Sequence, residues 1–268
     1  MSLTLYEHPL SPYARKVKIA LYEKGIPFER VFVAPMTAKE GDAEFAEFSA
    51  SSPRREVPCL VDGDLRLFDS TIIVDYLDDK WPDRQLLPPN VPELAQDRAR
   101  ARMAEEIGDT ILDAINWGLM EIRFFKRVEK GPKADAMIAR AGTQLAAVWD
   151  RLESDLGGRP WFSGASFGRA DASLVVHFTA SALFGFAPLD RHAKVRAWFA
   201  RCLDVESVKR DQADLATFMA SNAARSMRGA PVRRQYRDHR LEWMMKTGGL
   251  DVVLKGLEQD TIHFVAWP

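Results

Sequence analysis

The chain has 268 residues, 47% hydrophobic and 28% charged, with a formal net charge of −1. That length buries a large core and predicts about two domains, while the balanced charge argues against a nucleic-acid binder, which would carry a basic surplus. There is no apolar run near the roughly 20 residues that span a bilayer, no basic-then-apolar secretory pattern and no clustering of Cys59 with Cys202, so the expectation is a reducing, cytoplasmic setting with no metal and no membrane partner.

Residues 3–7 alternate as a strand and run into a Ser-Pro pair, after which 11–24 reads as a basic, amphipathic helix. Gly25 stops it, since glycine tolerates positive φ. Residues 27–33 are strand-like again, and a polar loop with a short helix over 38–48 follows. "EVPCLVDGDLRLFDS" holds two short apolar runs about Asp62-Gly63, a two-residue hairpin signal. An amphipathic helix over 70–80 ends at Trp81-Pro82. The order is βαβαββα within 1–81.

Residues 82–92 are proline-rich and read as a linker. From 93 to 218 apolar residues recur at helical spacing, with helices expected over 93–126, 133–157, 170–184 and 192–203. The remainder, 219–268, reads as an extension. It carries Arg225, Arg228, Arg233, Arg234, Arg237 and Arg240, then a Trp-Met-Met helix closed by Gly248-Gly249, then "TIHFVAW", which alternates as a strand. Asp238 and Glu242 interrupt the arginines, so a solvated face bridged by ion pairs is expected there.

Ser11-Pro12 marks a helix start: proline suits the first helical position, and a serine at the N-cap accepts a free backbone N–H. Capping alone would account for the pair. The same place also favours an anion, by about 0.3–2 kcal/mol from the helix terminus and about 1.5–3 kcal/mol from a donated hydroxyl. Lowering a thiol pKa by two units takes roughly 2.7 kcal/mol, so both contributions together could hold a foreign thiol as thiolate.

The module order and "LSPYAR" resemble the cytosolic glutathione transferase family, in a bacterial serine-type form similar to theta and etherase-like members, with an additional C-terminal extension. The resemblance covers about residues 1–215. It implies a thioredoxin-like α/β domain over 1–81, a linker at 82–92 and an all-helical domain over 93–218. Ser11 falls on the thiol-activating position. Related thioredoxin-like proteins that form mixed disulfides carry cysteine there, whereas the tetrad 11–14 has no sulfur. Tyr6 is the alternative hydroxyl, although strand alternation sets it opposite Leu3 and Leu5, as a packing residue.

Val57-Pro58 in "EVPCL" matches the family's cis-proline, whose preceding residue pairs with the cysteinyl unit of glutathione. The preceding "SSPRRE" departs from the family pattern: Arg55 stands for a glycine and Glu56 for a glutamine. Lys39 or Arg55 is then the candidate cation for the glycyl carboxylate. Asp69-Ser70 opens a helix and could be a simple cap. On the resemblance, Ser70 binds the γ-glutamyl carboxylate at the positive helix end and Asp69 the neighbouring ammonium. "SFGRADASL" matches the family's capping box, with Gly168 in place of the usual Ser or Thr and Asp171 three residues on.

For the second substrate, His8 and Leu10 lie beside the thiol site, and Asn116, Trp117, Met120 and Phe124 share a helix face, either core or pocket. The implied function is a glutathione transferase acting on a small hydrophobic electrophile, with glutathione as co-substrate and a homodimeric state. An etherase, dehalogenase or isomerase variant, or a non-catalytic binding protein of the same fold, are the alternatives.

Overall fold

Alternation lets β1 (Leu3–Glu7) bury both of its faces. Leu3 and Leu5 pack with Val17, Leu21, Ile73 and Leu77, whereas Tyr6 packs with Val33, Phe48 and Cys59 on the other side. The computed structural model describes residues 3–33, 43–52, 55–228 and 239–262. β1 lies between parallel β2 (Phe28–Phe32) and antiparallel β3 (Cys59–Asp62), and β3 continues into antiparallel β4 (Leu65–Leu67). Gly63 at the hairpin has φ 63, a left-handed conformation glycine adopts without strain. Tyr6 stands opposite Val31 on one side and Cys59 on the other.

Helices α1 (Pro12–Lys24) and α3 (Ser70–Lys80) cover the Leu3–Leu5 face, and α2 (Ala43–Ser51) brings Phe48 to the Tyr6 face. α1 begins and ends as expected, with Ser11 at its N-cap and Gly25 left-handed at its C-cap. Its basic residues point into the domain interface. Arg15, Lys16 and Lys18 are all buried because the helical domain packs over them with carboxylates: Asp211 for Arg15 and Lys18, Glu105 and Asp109 for Lys16. A buried charge is tolerated only when paired in this way.

The linker is packed too. After a 3-10 turn at Pro82–Arg84, Leu86 and Leu87 are buried, and Asp78 accepts the Leu86 N–H at 3.0 Å. A second such turn, Pro92–Leu94, leads into α4 (Ala95–Glu106). The expected single helix over 93–126 is instead α4, a π-helical segment Ile107–Leu112 and α5 (Asp113–Arg123). Gly108 lies in that segment, where an added Cβ would come 2.7 Å from Ser173 Oγ, so glycine permits the close approach of α7 (Arg169–Leu183). α6 (Pro132–Leu156), α8 (Ala193–Asp204), α9 (Glu206–Ala220) and α10 (Asn222–Met227) complete the bundle. Its core holds Trp149, Phe162, Phe178 and Trp198, with ring centroids 5.0 Å apart from Trp198 to both phenylalanines.

The start of α7 carries a substitution in space. Asp171 is fully buried and accepts from Phe162 N, Ser163 N, Gly168 N and Trp198 Nε1 at 2.7–3.1 Å. The hydroxyl that Gly168 lacks is supplied by Ser163, whose Oγ accepts the Ala170 N–H at 3.1 Å.

The boundary expected at 218/219 falls inside α9, so the extension begins as a continuation of the bundle. α11 (His239–Lys246) and α12 (Leu250–Glu258) form a hairpin turning at Gly248 and Gly249. The strand expected in "TIHFVAW" lies mostly at 263–268, outside the described residues. Thr261 and Ile262 instead donate their N–H groups to Gly256 O at 2.8 and 3.1 Å. Among the described residues no helix is long and apolar enough to cross a membrane, and no cluster of three or more His, Cys, Asp or Glu could hold a metal.

Candidate active site between two helix N-termini

Ser11 has extended dihedrals, φ −81 and ψ 113, as an N-cap requires, and Pro12 follows at the first helical position. Its Oγ accepts the Ala14 N–H at 3.3 Å and donates to the Val57 carbonyl at 3.4 Å. Both bonds are long, hence weak. The hydroxyl therefore accepts from a helix N–H while its own proton is held only loosely. The fold has thus brought Ser11 to Val57 across 46 residues, with the Val57-Pro58 bond cis.

Tyr6 takes no part in this arrangement. Its ring packs 5.8 Å from Phe48, and burial raises its phenol pKa. Cys59 follows Pro58 but its thiol donates to Ser51 O at 3.0 Å and burial pushes its pKa up to about 11. A thiol held neutral in this way is a poor nucleophile.

Asp69 caps α3 by accepting the Thr71 N–H at 2.8 Å. Ser70, only 2% exposed, has an Oγ with no hydrogen-bond partner. A buried hydroxyl left this way lacks a compensating bond, and it stands at a helix N-terminus suited to a carboxylate. A donor and an acceptor for a zwitterionic head group are therefore adjacent. The next residue, Thr71, is fixed from below: Lys16 Nζ donates to its Oγ1 at 3.2 Å and to Glu105 Oε1 at 2.9 Å, and also pairs with Asp109. Burial alone would raise the Asp109 carboxyl, but Lys16 and His177 hold it well below the usual carboxylate range. Tyr13, two residues after Ser11, donates to the Asp109 carbonyl at 2.6 Å. The α1 and α3 N-termini are thus tied to the same π-helical segment.

Arg55 is exposed and left-handed, at φ 54, which suits the glycine it replaces in the family pattern and is strained for arginine. The Glu56 backbone is held by Ser52, whose Oγ accepts Glu56 N–H at 3.1 Å and donates to Glu56 O at 3.0 Å. Lys39 lies outside the described residues.

The face expected of Asn116, Trp117, Met120 and Phe124, on α5 and at its C-cap, is divided. Asn116 is core: it donates to His177 O at 3.0 Å and accepts from Ser181 Oγ at 2.9 Å. Met120 and Phe124 join Leu10, Phe218, Met219 and Met227 in an apolar cluster beside the Ser11 loop. His8 packs between Phe32 and Phe218, at 4.9 and 5.2 Å, and its Nδ1 accepts the Leu10 N–H at 3.1 Å. Burial lowers its pKa to about 4, so the ring is neutral at pH 7. The contributions of Lys16, Asp109 and Phe218 had no local signal, because their partners lie far along the chain.

The sequence matches the family model described as "Glutathione S-transferase, N-terminal domain" over residues 5–85 and "Glutathione S-transferase, C-terminal domain" over 115–206, together more than half the chain. Glutathione S-transferase Z2 of Arabidopsis thaliana is 42% identical over 86 residues, 32% of this chain and 37% of that protein. This chain therefore spans just over a third of that relative's length. Glutathione S-transferase U28 of the same plant is 28% identical over 209 residues, 74% of this chain and 83% of its own. The crystal structure of rice GST1 in complex with glutathione superposes with a TM-score of 0.66 at 27% identity, covering 81% of this chain and 96% of the rice chain.

Proposed function

Because this chain belongs to the glutathione S-transferase family, we propose that it binds glutathione across the N-termini of α1 and α3 and holds the sulfur as thiolate at Ser11. The thiolate then attacks a small apolar electrophile resting on Leu10, Met120 and Phe124. The observation that carries this reading is the approach of Ser11 Oγ to the Val57 carbonyl at 3.4 Å. It sets a loosely held hydroxyl proton beside the backbone that leads into β3, where a cysteinyl unit would pair.

The same reading assigns the remaining contacts. The Val57 backbone pairs with the cysteinyl amide. Ser70 Oγ and the first-turn N–H groups of α3 take the γ-glutamyl carboxylate, and Asp69 takes its ammonium. Arg55, two residues ahead of Val57, is the cation offered to the glycyl carboxylate. The neutral His8 leaves no added positive charge beside the sulfur, so ionisation rests on the hydroxyl and the helix terminus. Family members usually form dimers, and a two-fold dimer is the assembly proposed here; sedimentation measures it.

The chemistry is tested by titrating the thiolate absorbance of glutathione bound to the protein. Ionisation about two pH units below that of free glutathione is expected. An unshifted titration would leave the fold without the proposed activation.

A further inference from the structure

α10 (Asn222–Met227) opens the extension, and what it covers bears on the second substrate. Its buried residues are Ala224 and Met227, three apart and so on one face of the helix. That face packs into the apolar cluster that holds Phe124, Phe125 and Phe218, with Leu10 and Met120 against it. Met227 is 7% exposed and Phe124 only 9%, so the cluster is shut on this side.

Little else fastens α10. Ser221 Oγ caps it by accepting the Ala224 N–H at 3.2 Å, Ser226 Oγ donates to Asn222 O at 2.6 Å, and Arg225 donates to Ala220 O at 2.9 Å and to Asn222. These bonds stay within 220–226. Among the described residues neither Arg225 nor Arg228 pairs with a carboxylate, so the ion-paired face expected of the arginine run does not form at these two. Arg228 lies instead 5.6 Å from the Phe124 ring centroid, a cation–π contact.

An electrophile resting on Leu10, Met120 and Phe124 therefore meets a place that the protein's own side chains already fill. Met227 is the one placed to leave: methionine is unbranched and adaptable, and its short helix has internal polar bonds. Met120 and Phe218 stand on helices anchored across the bundle, α5 through Asn116 to His177 O at 3.0 Å and α9 through Asp211 to Arg15 at 2.7 Å. We propose that Met227 determines which electrophiles are accepted. Its side chain fills the electrophile's place in the free protein and is displaced on binding, so the site takes alkyl or single-ring electrophiles and turns away fused-ring ones. This rests on the electrophile lying against Leu10, Met120 and Phe124, and not on how the sulfur ionises. A group about the size of the displaced side chain exchanges one apolar contact for another, whereas a larger one overpacks the cluster.

Occupancy is tested without turnover, using nitrotoluene, which has the ring of a nitrobenzyl chloride but no leaving group. Titrated into the full chain carrying isotope-labelled methionine methyl groups, it should move the resonances of Met120 and Met227, assigned by Met120→Leu and Met227→Leu. The resonance of Met103, exposed on α4, should stay in place. A Met227 resonance that moves no more than that of Met103 overturns the proposal, whether or not the protein conjugates glutathione. Movement without conjugation supports it and counts against the thiolate chemistry alone.

Selectivity is read from turnover of a nitrobenzyl chloride and of chloromethylnaphthalene. In both, the glutathione sulfur bonds to the carbon that bears chlorine, and the C–Cl electron pair leaves with chloride. Met227→Ala should raise the naphthyl-to-benzyl ratio of kcat/KM at least about fivefold over that of the unaltered chain. If that variant fails to fold, Met227→Val is measured in its place and should move the ratio in the same direction. An unchanged or lowered ratio overturns the proposal.

Discussion

Arg15, in the first turn of α1, donates through Nε and Nη2 to Asp211 Oδ2 on α9 at 2.9 and 2.7 Å, across 196 residues of chain. Lys18 Nζ reaches the other oxygen of the same carboxylate at 3.1 Å. All three side chains are buried. Removing one partner strands a charge in a low-dielectric interior, at a cost of about 3–5 kcal/mol. Asp211→Asn should destabilise by that order in denaturant unfolding. Arg15→Met with Asp211→Leu should recover part of the loss, and a purely additive double variant would show that the pair is not coupled.

Ser11→Ala removes the donated hydroxyl and keeps the helix dipole. Turnover with a generic aryl halide should drop at least about tenfold, since a hydrogen bond to a charged group is worth about 1.5–3 kcal/mol, while glutathione affinity stays within a few-fold. Unchanged turnover would transfer thiol activation to the backbone N–H groups of α1.

Asp69 has two tasks that one substitution separates. Asp69→Asn keeps an oxygen for the Thr71 N–H, so the α3 cap survives, but the charge for the γ-glutamyl ammonium is gone. The KM for glutathione should rise about tenfold with little change in kcat, as expected for a charged hydrogen-bond partner. A loss of kcat with unchanged KM would contradict the assignment.

His8 makes the fold sensitive to mild acid. Its pKa falls from the ordinary 6.5 to about 4 on burial, so below pH 6.5 the unfolded chain takes up a proton that the folded chain refuses. Stability from this group is complete above 6.5 and is lost as pH falls toward 4, about 3 kcal/mol in all. His8→Asn should flatten that limb of the stability–pH curve. Equal slopes for the two proteins would remove His8 as the cause.

Gly168 invites a misleading repair. Helix-capping preference alone favours serine there. A Cβ at that position would instead stand 2.2 Å from Leu86 O and 2.8 Å from Ser163. Gly168→Ser should therefore destabilise by about 3 kcal/mol, in the range of severe overpacking. A raised melting temperature would show that the linker backbone gives way.

Signals carried by neighbouring residues were legible in the sequence alone. Ser11-Pro12 opening α1, Gly25 closing it, the turn at Gly63 and the Asp69 cap all depend on groups within a few residues, and local sterics and hydrogen bonding decide them. Both helix N-termini that frame the candidate site were found in this way. The tertiary structure decided what depends on groups distant along the chain. Nothing near Arg15, Lys16 and Lys18 in sequence shows that they are buried, because Asp211, Glu105 and Asp109 arrive from distant segments. Gly168 looks uncapped until Ser163 folds alongside it. Whether a charge is buried and whether a donor is satisfied depend on the field and the space at a point, and both are set by residues that no window of sequence contains.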